Sequence, residues 1–252
     1  MWVFFGLAGL FALLGYAVKY RKCYWLISGY NTASPQRKQE FDLAGLSRLM
    51  GNFAFLLAAM LIVAGILTWL KQDDLLLIEM GLVFVAICSL MVKSQKYDKG
   101  ALRPDGRLKP GVKLVLALII CFFLMVYGLI IYGALPAAIE ITPEALKIGG
   151  MYGTAVPWDS IAEVKLLNKL PPLAYKAHGF DLGTKRKGFF RLQAGGRVRL
   201  FVINSRPPYI DLGTKQERII LNLREPWETM ALYTEIRKRL TTSGNTRLSF
   251  GG

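Results

Sequence analysis

One histidine, three cysteines and only 17 acidic residues occur among the 252 residues of this chain. A single imidazole with no Cys-x-x-Cys cannot assemble a histidine- or cysteine-rich metal site, so neither a metal centre nor a resident cofactor is expected. Cys23, Cys88 and Cys121 all precede residue 136, which leaves the C-terminal half without a disulfide. Gly-x-Gly-x-x-Gly, the Walker phosphate loop and His-Glu-x-x-His are all absent. The lone His178 has no neighbouring cysteine, and no serine or aspartate partner can be assigned to it, so it is expected on a surface loop. Catalysis therefore has no positive support, and the chain is expected not to be an enzyme.

Charge is missing from particular places. The first 18 residues carry none, although 53% of the chain is hydrophobic and its net charge is +15. Four segments are long and apolar enough to cross about 30 Å of hydrocarbon: Met1–Val18, Phe53–Leu70, Leu75–Val92 and Leu114–Leu135. The first has no basic leader and ends Leu-Gly-Tyr-Ala-Val-Lys rather than at a small-x-small cleavage site, so a retained span is expected. A four-helix transmembrane domain over 1–135 follows.

Basic residues then set the expected orientation. Loops 19–52 and 93–113 together carry thirteen lysines and arginines, while the short loop between the second and third spans has only Lys71. Positive loops stay on the cytoplasmic side, so both termini are expected outside a bacterial cytoplasmic membrane. Nucleic acid is disfavoured as a partner, because this topology already accounts for the basic residues on the cytoplasmic face.

Within loop 19–52 stands Gly29-Tyr-Asn-Thr32. Gly29 tolerates positive φ, and the Asn31 and Thr32 side chains are expected to turn the backbone by hydrogen bonding. Ser34 and Pro35 read as the cap and first residue of a helix. That helix is expected to lie on the bilayer surface, with Phe41, Leu43–Leu46 and Leu49 inward and Arg37, Lys38 and Arg48 towards lipid phosphates. The run Ile27-Ser-Gly-Tyr-Asn-Thr-Ala-Ser-Pro-Gln-Arg-Lys-Gln-Glu-Phe-Asp42, followed by Leu46-Ser-Arg-Leu-Met-Gly51, resembles the domain-of-unknown-function 3784 family of bacterial membrane proteins. The resemblance spans about residues 1–95 and implies a bacterial membrane protein without a biochemical activity. Gly29-Tyr-x-Thr is also similar to a loop of membrane immunity proteins that protect against sporulation-delaying toxins.

Residues 136–240 change character. Seven short alternating runs appear, at 139–141, 146–148, 154–156, 164–166, 190–192, 198–202 and 219–223. Period-two alternation between turn residues predicts a mostly antiparallel sheet. Pro226 opens a helix whose apolar stripe is predicted to be Trp227, Met230, Tyr233, Ile236 and Leu240. The text from Ile139 to Leu166, with its Val156-Pro-Trp158 step into Asp159-Ser-Ile161, resembles the opening strands of bacterial pleckstrin-homology-like domains. That resemblance implies a β-barrel closed by a C-terminal helix, and a binding or assembly module with no catalytic residue. Residues 241–252 are expected to be a flexible tail.

Two further features qualify as candidate sites. Glu79 is the one carboxylate well inside a predicted span, either a functional intramembrane acid or one suited to a helix start near Asp73 and Asp74. Asp-Leu-Gly-Thr-Lys occurs at 181–185 and 211–215 and is read as two separate turns. The first copy continues through Arg186, Lys187, Phe189 and Phe190, a cationic and aromatic tip that either docks on anionic headgroups or is plain solvated charge. The expected function is that of an accessory or scaffold subunit whose C-terminal domain binds a protein partner or the membrane surface. The alternative is a small transport or toxin-immunity membrane protein that uses Glu79 and the Gly29, Tyr30, Asn31, Thr32 loop.

Overall fold

The computed structural model describes residues 2–242 and divides between Gly128 and Leu129 into two compact units. The 243–252 part of the expected tail lies outside the described residues.

The first unit is helical. It contains α1 (Trp2–Lys19), a single turn α2 (Pro35–Lys38), α3 (Leu43–Trp69), α4 (Asp73–Ser94) and most of α5 (Pro110–Ala134). The four long helices are apolar and long enough to cross a membrane. In hydrocarbon a helix satisfies its backbone polar groups internally, which is why uninterrupted apolar runs adopt it. Helix α1 lies against α3 where two glycines meet: a Cβ on Gly15 would stand 3.0 Å from the Gly51 carbonyl oxygen and 3.2 Å from the Ala54 Cβ. Small residues permit such close backbone approach, and dispersion then holds the pair. At the end of α1, Lys19 Nζ donates to Asn52 Oδ1 at 2.7 Å.

Helix α3 begins ten residues before the expected Phe53, which corrects the surface helix predicted over 34–49. Ser34 does cap α2, accepting from the Arg37 amide, but α2 stops at Lys38. The Asp42 carboxylate then accepts from the Gly45 amide at 3.0 Å and starts the second span directly. Residues 43–49 are therefore its first two turns.

The second unit is mainly β and ends in a helix. Strands β1 (Ile139–Ile141), β2 (Ala145–Ile148) and β3 (Thr154–Pro157) form an antiparallel meander. Strands β4 (Ile161–Leu167), β5 (Leu173–Leu182), β6 (Lys185–Leu192), β7 (Arg197–Val202), β8 (Tyr209–Thr214) and β9 (Arg218–Leu221) form a second sheet in the order β4-β8-β9-β7-β6-β5. All its pairings are antiparallel except β7 with β9. Neither sheet closes on itself, so the expected closed barrel is not found among the described residues. Strands β5 and β8 are the two that alternation did not disclose. Extra residues break the β5 register on both sides of Tyr175-Lys176, and β8 carries Asp211 among buried apolar neighbours.

One core lies between the meander, one face of the large sheet and α6 (Pro226–Thr242), and includes Leu146, Trp158, Ile161, Leu212, Ile236 and Leu240. The Trp158 indole N–H donates to the Thr142 carbonyl at 3.0 Å, so the Val-Pro-Trp step is a buried anchor. A second cluster, with Phe190, Leu200, Val202 and Ile220, fills the opposite face. The buried stripe of α6 is Leu232, Ile236 and Leu240, whereas Trp227 is 70% and Met230 43% exposed. This corrects the predicted stripe at Trp227 and Met230, while Ile236 and Leu240 lie in it as expected and Tyr233 packs partly buried beside them. The Thr229 hydroxyl accepts from the Leu223 amide at 3.0 Å, and that bond fixes the rotation of the helix.

Candidate functional site

The Gly29–Thr32 stretch lies between the first two spans, in a segment tied down at both ends. Ile27 is buried with Val18 and Leu46, Gly29 has φ 83°, and the Asn31 amide donates to the Ile27 carbonyl at 3.0 Å. The Tyr30 ring meets Phe41 edge-on at 5.8 Å, with the Lys38 ammonium 5.4 Å from its centroid. The Asn31 and Thr32 side chains are exposed and make no hydrogen bond among the described residues. They do not turn the backbone as predicted; Gly29 and the Ile27 carbonyl do.

This segment is stitched to the chain after α4. The Asp42 amide donates to the Tyr97 carbonyl at 2.9 Å, and the Lys99 amide donates to the Glu40 carbonyl at 3.0 Å. Arg37 Nη2 donates to Asp98 Oδ2 at 2.7 Å. Beside the stitch lies a 230 Å³ pocket walled by Gly29, Phe41, Met50 and Gln95, with Arg37 and Asp98 at one side. Asp98 is buried, and its Oδ1 has no partner among the described residues. Buried polar groups are ordinarily satisfied, so an orphan carboxylate oxygen beside a pocket marks a place where a donor is wanted.

Residues 5–98 match the family model of a domain of unknown function, DUF3784. The match runs from α1 to Asp98, the residue that Arg37 grips, and leaves out α5 and the β unit. No curated protein and no solved structure matches the chain. The stitched loops and the Asp98 pocket thus fall within or against the DUF3784 segment.

Glu79, also within that segment, is buried on the same face of α4 as Asp73 and Leu76. It lies six residues into the helix, about 9 Å from its start, beyond reach of the first-turn amides. Its Oε1 has no partner among the described residues.

The cationic tip expected at Lys185, Arg186 and Lys187 does not exist as an exposed feature. The turn residues are Gly183 and Thr184, since Leu182 pairs with Lys185. Residues 185–190 are strand, and alternation sends Lys185 and Lys187 inward to 5% and 2% exposure. Lys187 Nζ donates to the Leu135 carbonyl. Burial, and secondarily the Lys185 ammonium, lowers the Lys187 pKa to about 8. Arg186 points the other way and pairs with Asp181 at 3.3 Å, while Phe190 is core. The second Asp-Leu-Gly-Thr-Lys copy is mostly strand rather than turn. Its Asp211 is buried and accepts two bonds from Arg218, at 2.9 and 2.7 Å.

Of those predicted residues, Phe189 alone joins a surface cluster, and sequence reasoning missed the rest of it. The ladder sets His178, Phe189 and Arg199 side by side on β5, β6 and β7. The imidazole lies 4.6 Å from the Phe189 ring at 33°, and the Arg199 guanidinium stands 4.5 Å from that ring on its face. Tyr152, from the turn before β3, adds its ring at 6.2 Å from His178 and 6.3 Å from Phe189. Arg199 is held by Glu217 at 3.0 Å. Tyr152 has φ 64°, a conformation that costs a bulky residue and is sustained where surrounding contacts dictate it. No sequence signal unites positions 152, 178, 189, 199 and 217; only strand pairing does.

Proposed function

We propose that this chain is a non-enzymatic accessory or scaffold protein of the bacterial cytoplasmic membrane, whose β unit docks a protein partner. The observation that carries this is the Tyr152–His178–Phe189–Arg199 cluster. Protein interfaces are enriched in tyrosine, phenylalanine and arginine, and rigid aromatics beside a fixed guanidinium are the usual anchors. A conformation strained at Tyr152 to complete such a cluster fits recognition better than stability. Docking on lipid headgroups through Lys185 and Lys187 loses its basis, because both ammonium groups are buried. The strand-rich unit closed by the Leu232–Ile236–Leu240 face of α6 remains comparable in plan to an opened pleckstrin-homology-like domain, an assembly module as a class. The thirteen-to-one bias of basic residues in the short loops supports a topology with that unit, and both termini, outside.

A photo-crosslinking residue, p-benzoylphenylalanine, tests the interface in living cells. At position 178 it is expected to trap one discrete protein adduct, identified by mass spectrometry, whereas at exposed Arg224 it traps none. Identical patterns at both positions, or lipid adducts alone, would remove the protein-docking role. Glu79 supports a second reading, a small transport or immunity-type membrane protein, because a buried oxygen without a partner among the described residues is costly in a span unless used.

A further inference from the structure

Helices α4 and α5 are tied together near the start of α4. There the Tyr127 hydroxyl donates to the Leu77 carbonyl at 2.8 Å. The Tyr127 ring also lies close against Gly81, where an added Cβ would stand 2.5 Å from the phenolic oxygen. The Phe84 ring meets Tyr127 at 5.3 Å and Phe123 at 5.7 Å, tilted by 50° and 57°. Beyond these rings a cleft of 530 Å³ opens between the helices, lined by apolar side chains with Cys88 and Ser89, and reaching Lys93 in the last turn of α4.

We propose that this cleft is a site for one anionic glycerophospholipid, its acyl chain between α4 and α5 and its phosphate on Lys93. Three features select that occupant. The walls are almost wholly apolar, and Tyr127, already bonded to Leu77, closes the inner end without offering a free polar group. Lys93 is the one charged lining residue, is exposed, and has no ion pair among the described residues. The length also fits. Gly81 to Lys93 is twelve residues, about 18 Å along the helix, and one leaflet is half of a hydrocarbon core about 30 Å thick. A cleft that starts at an interfacial cation and ends one leaflet deep matches an amphiphile with an anionic head and a single buried tail. A zwitterionic lipid fills the same walls but gains less at Lys93.

The full chain, purified in mild detergent, is exchanged into equal amounts of phosphatidylglycerol and phosphatidylcholine and read by native mass spectrometry. One retained lipid per chain is expected, with phosphatidylglycerol enriched about fivefold. Lys93→Gln should bring that ratio to about one. Val85→Trp fills the cleft from an exposed position and should abolish the retained lipid while leaving the melting temperature unchanged. A second readout uses Cys88 as the sole cysteine, with Cys23 and Cys121 replaced by serine. Phosphatidylglycerol should slow its alkylation by an apolar maleimide more than phosphatidylcholine does. Headgroup-indifferent retention, an unchanged ratio in Lys93→Gln, or undiminished lipid in Val85→Trp would each overturn the site. So would recovery of a protein helix in place of lipid.

Discussion

Lys187 shows how one side chain can carry a pH dependence. Its ammonium is enclosed on the inner face of β6 and bonded to a backbone carbonyl, with Lys185 as a like-charged neighbour. The folded pKa of about 8 lies below the ordinary lysine value of 10.5. Between those two values the unfolded chain binds more protons than the folded one, so stability rises as pH rises through that window. Below pH 8 both states are charged, and the penalty is constant. The full-length protein in detergent should therefore gain up to about 3 kcal/mol of unfolding free energy between pH 7.5 and 10. Lys187→Met should remove that gain and raise stability at neutral pH. A wild-type denaturation midpoint flat across the range would contradict the buried ammonium.

Helix α6 and the strands show where local pattern suffices and where it does not. The four membrane helices were legible because uninterrupted apolar runs leave the backbone no other arrangement. The true start of α3 was not, because a single bond from Asp42 converts the predicted surface segment into the first turns of a span. On α6, three-and-four spacing was visible, but two overlapping stripes satisfy it. The Thr229 bond to Leu223 chooses Leu232, Ile236 and Leu240, leaving Trp227 outside. Ile236→Ala should accordingly cost about 2–5 kcal/mol, whereas Trp227→Ala should stay within about 0.5 kcal/mol. Chemical denaturation of the two variants separates the stripes, and equal losses would restore the predicted one. Strands β5 and β8 escaped because bulges, and a buried Asp211 paired with Arg218, break alternation. The aromatic cluster was illegible for a related reason: its members become neighbours only when β5, β6 and β7 align.

For the whole chain, the decisive unknown of sequence is sidedness, and it is directly measurable. In a cysteine-free background, Ser205→Cys in the β unit should react with a membrane-impermeant maleimide added to spheroplasts, while Lys99→Cys should not. Both positions are exposed, so access depends on the bilayer alone. The reverse pattern would put the β unit in the cytosol and invert every loop. The DUF3784 segment was recognisable from its polar loop, a contiguous text, whereas the β unit, which no curated protein or solved structure matches, is defined by strand pairing.

The bonds that join the first loop to the chain after α4 also have a timetable. Arg37, Glu40 and Asp42 leave the ribosome long before Tyr97, Asp98 and Lys99 do. Their backbone and guanidinium groups must wait, hydrated, until α4 and the residues after it have been made. Only a formed α4, turning back from the end of α3, brings Asp98 to Arg37. A chain in which α4 has not formed leaves the loop open and the Arg37 and Asp98 charges unmatched. The stitch therefore closes only after Lys99 has emerged, and it makes the pairing of the two loops depend on the helices between them.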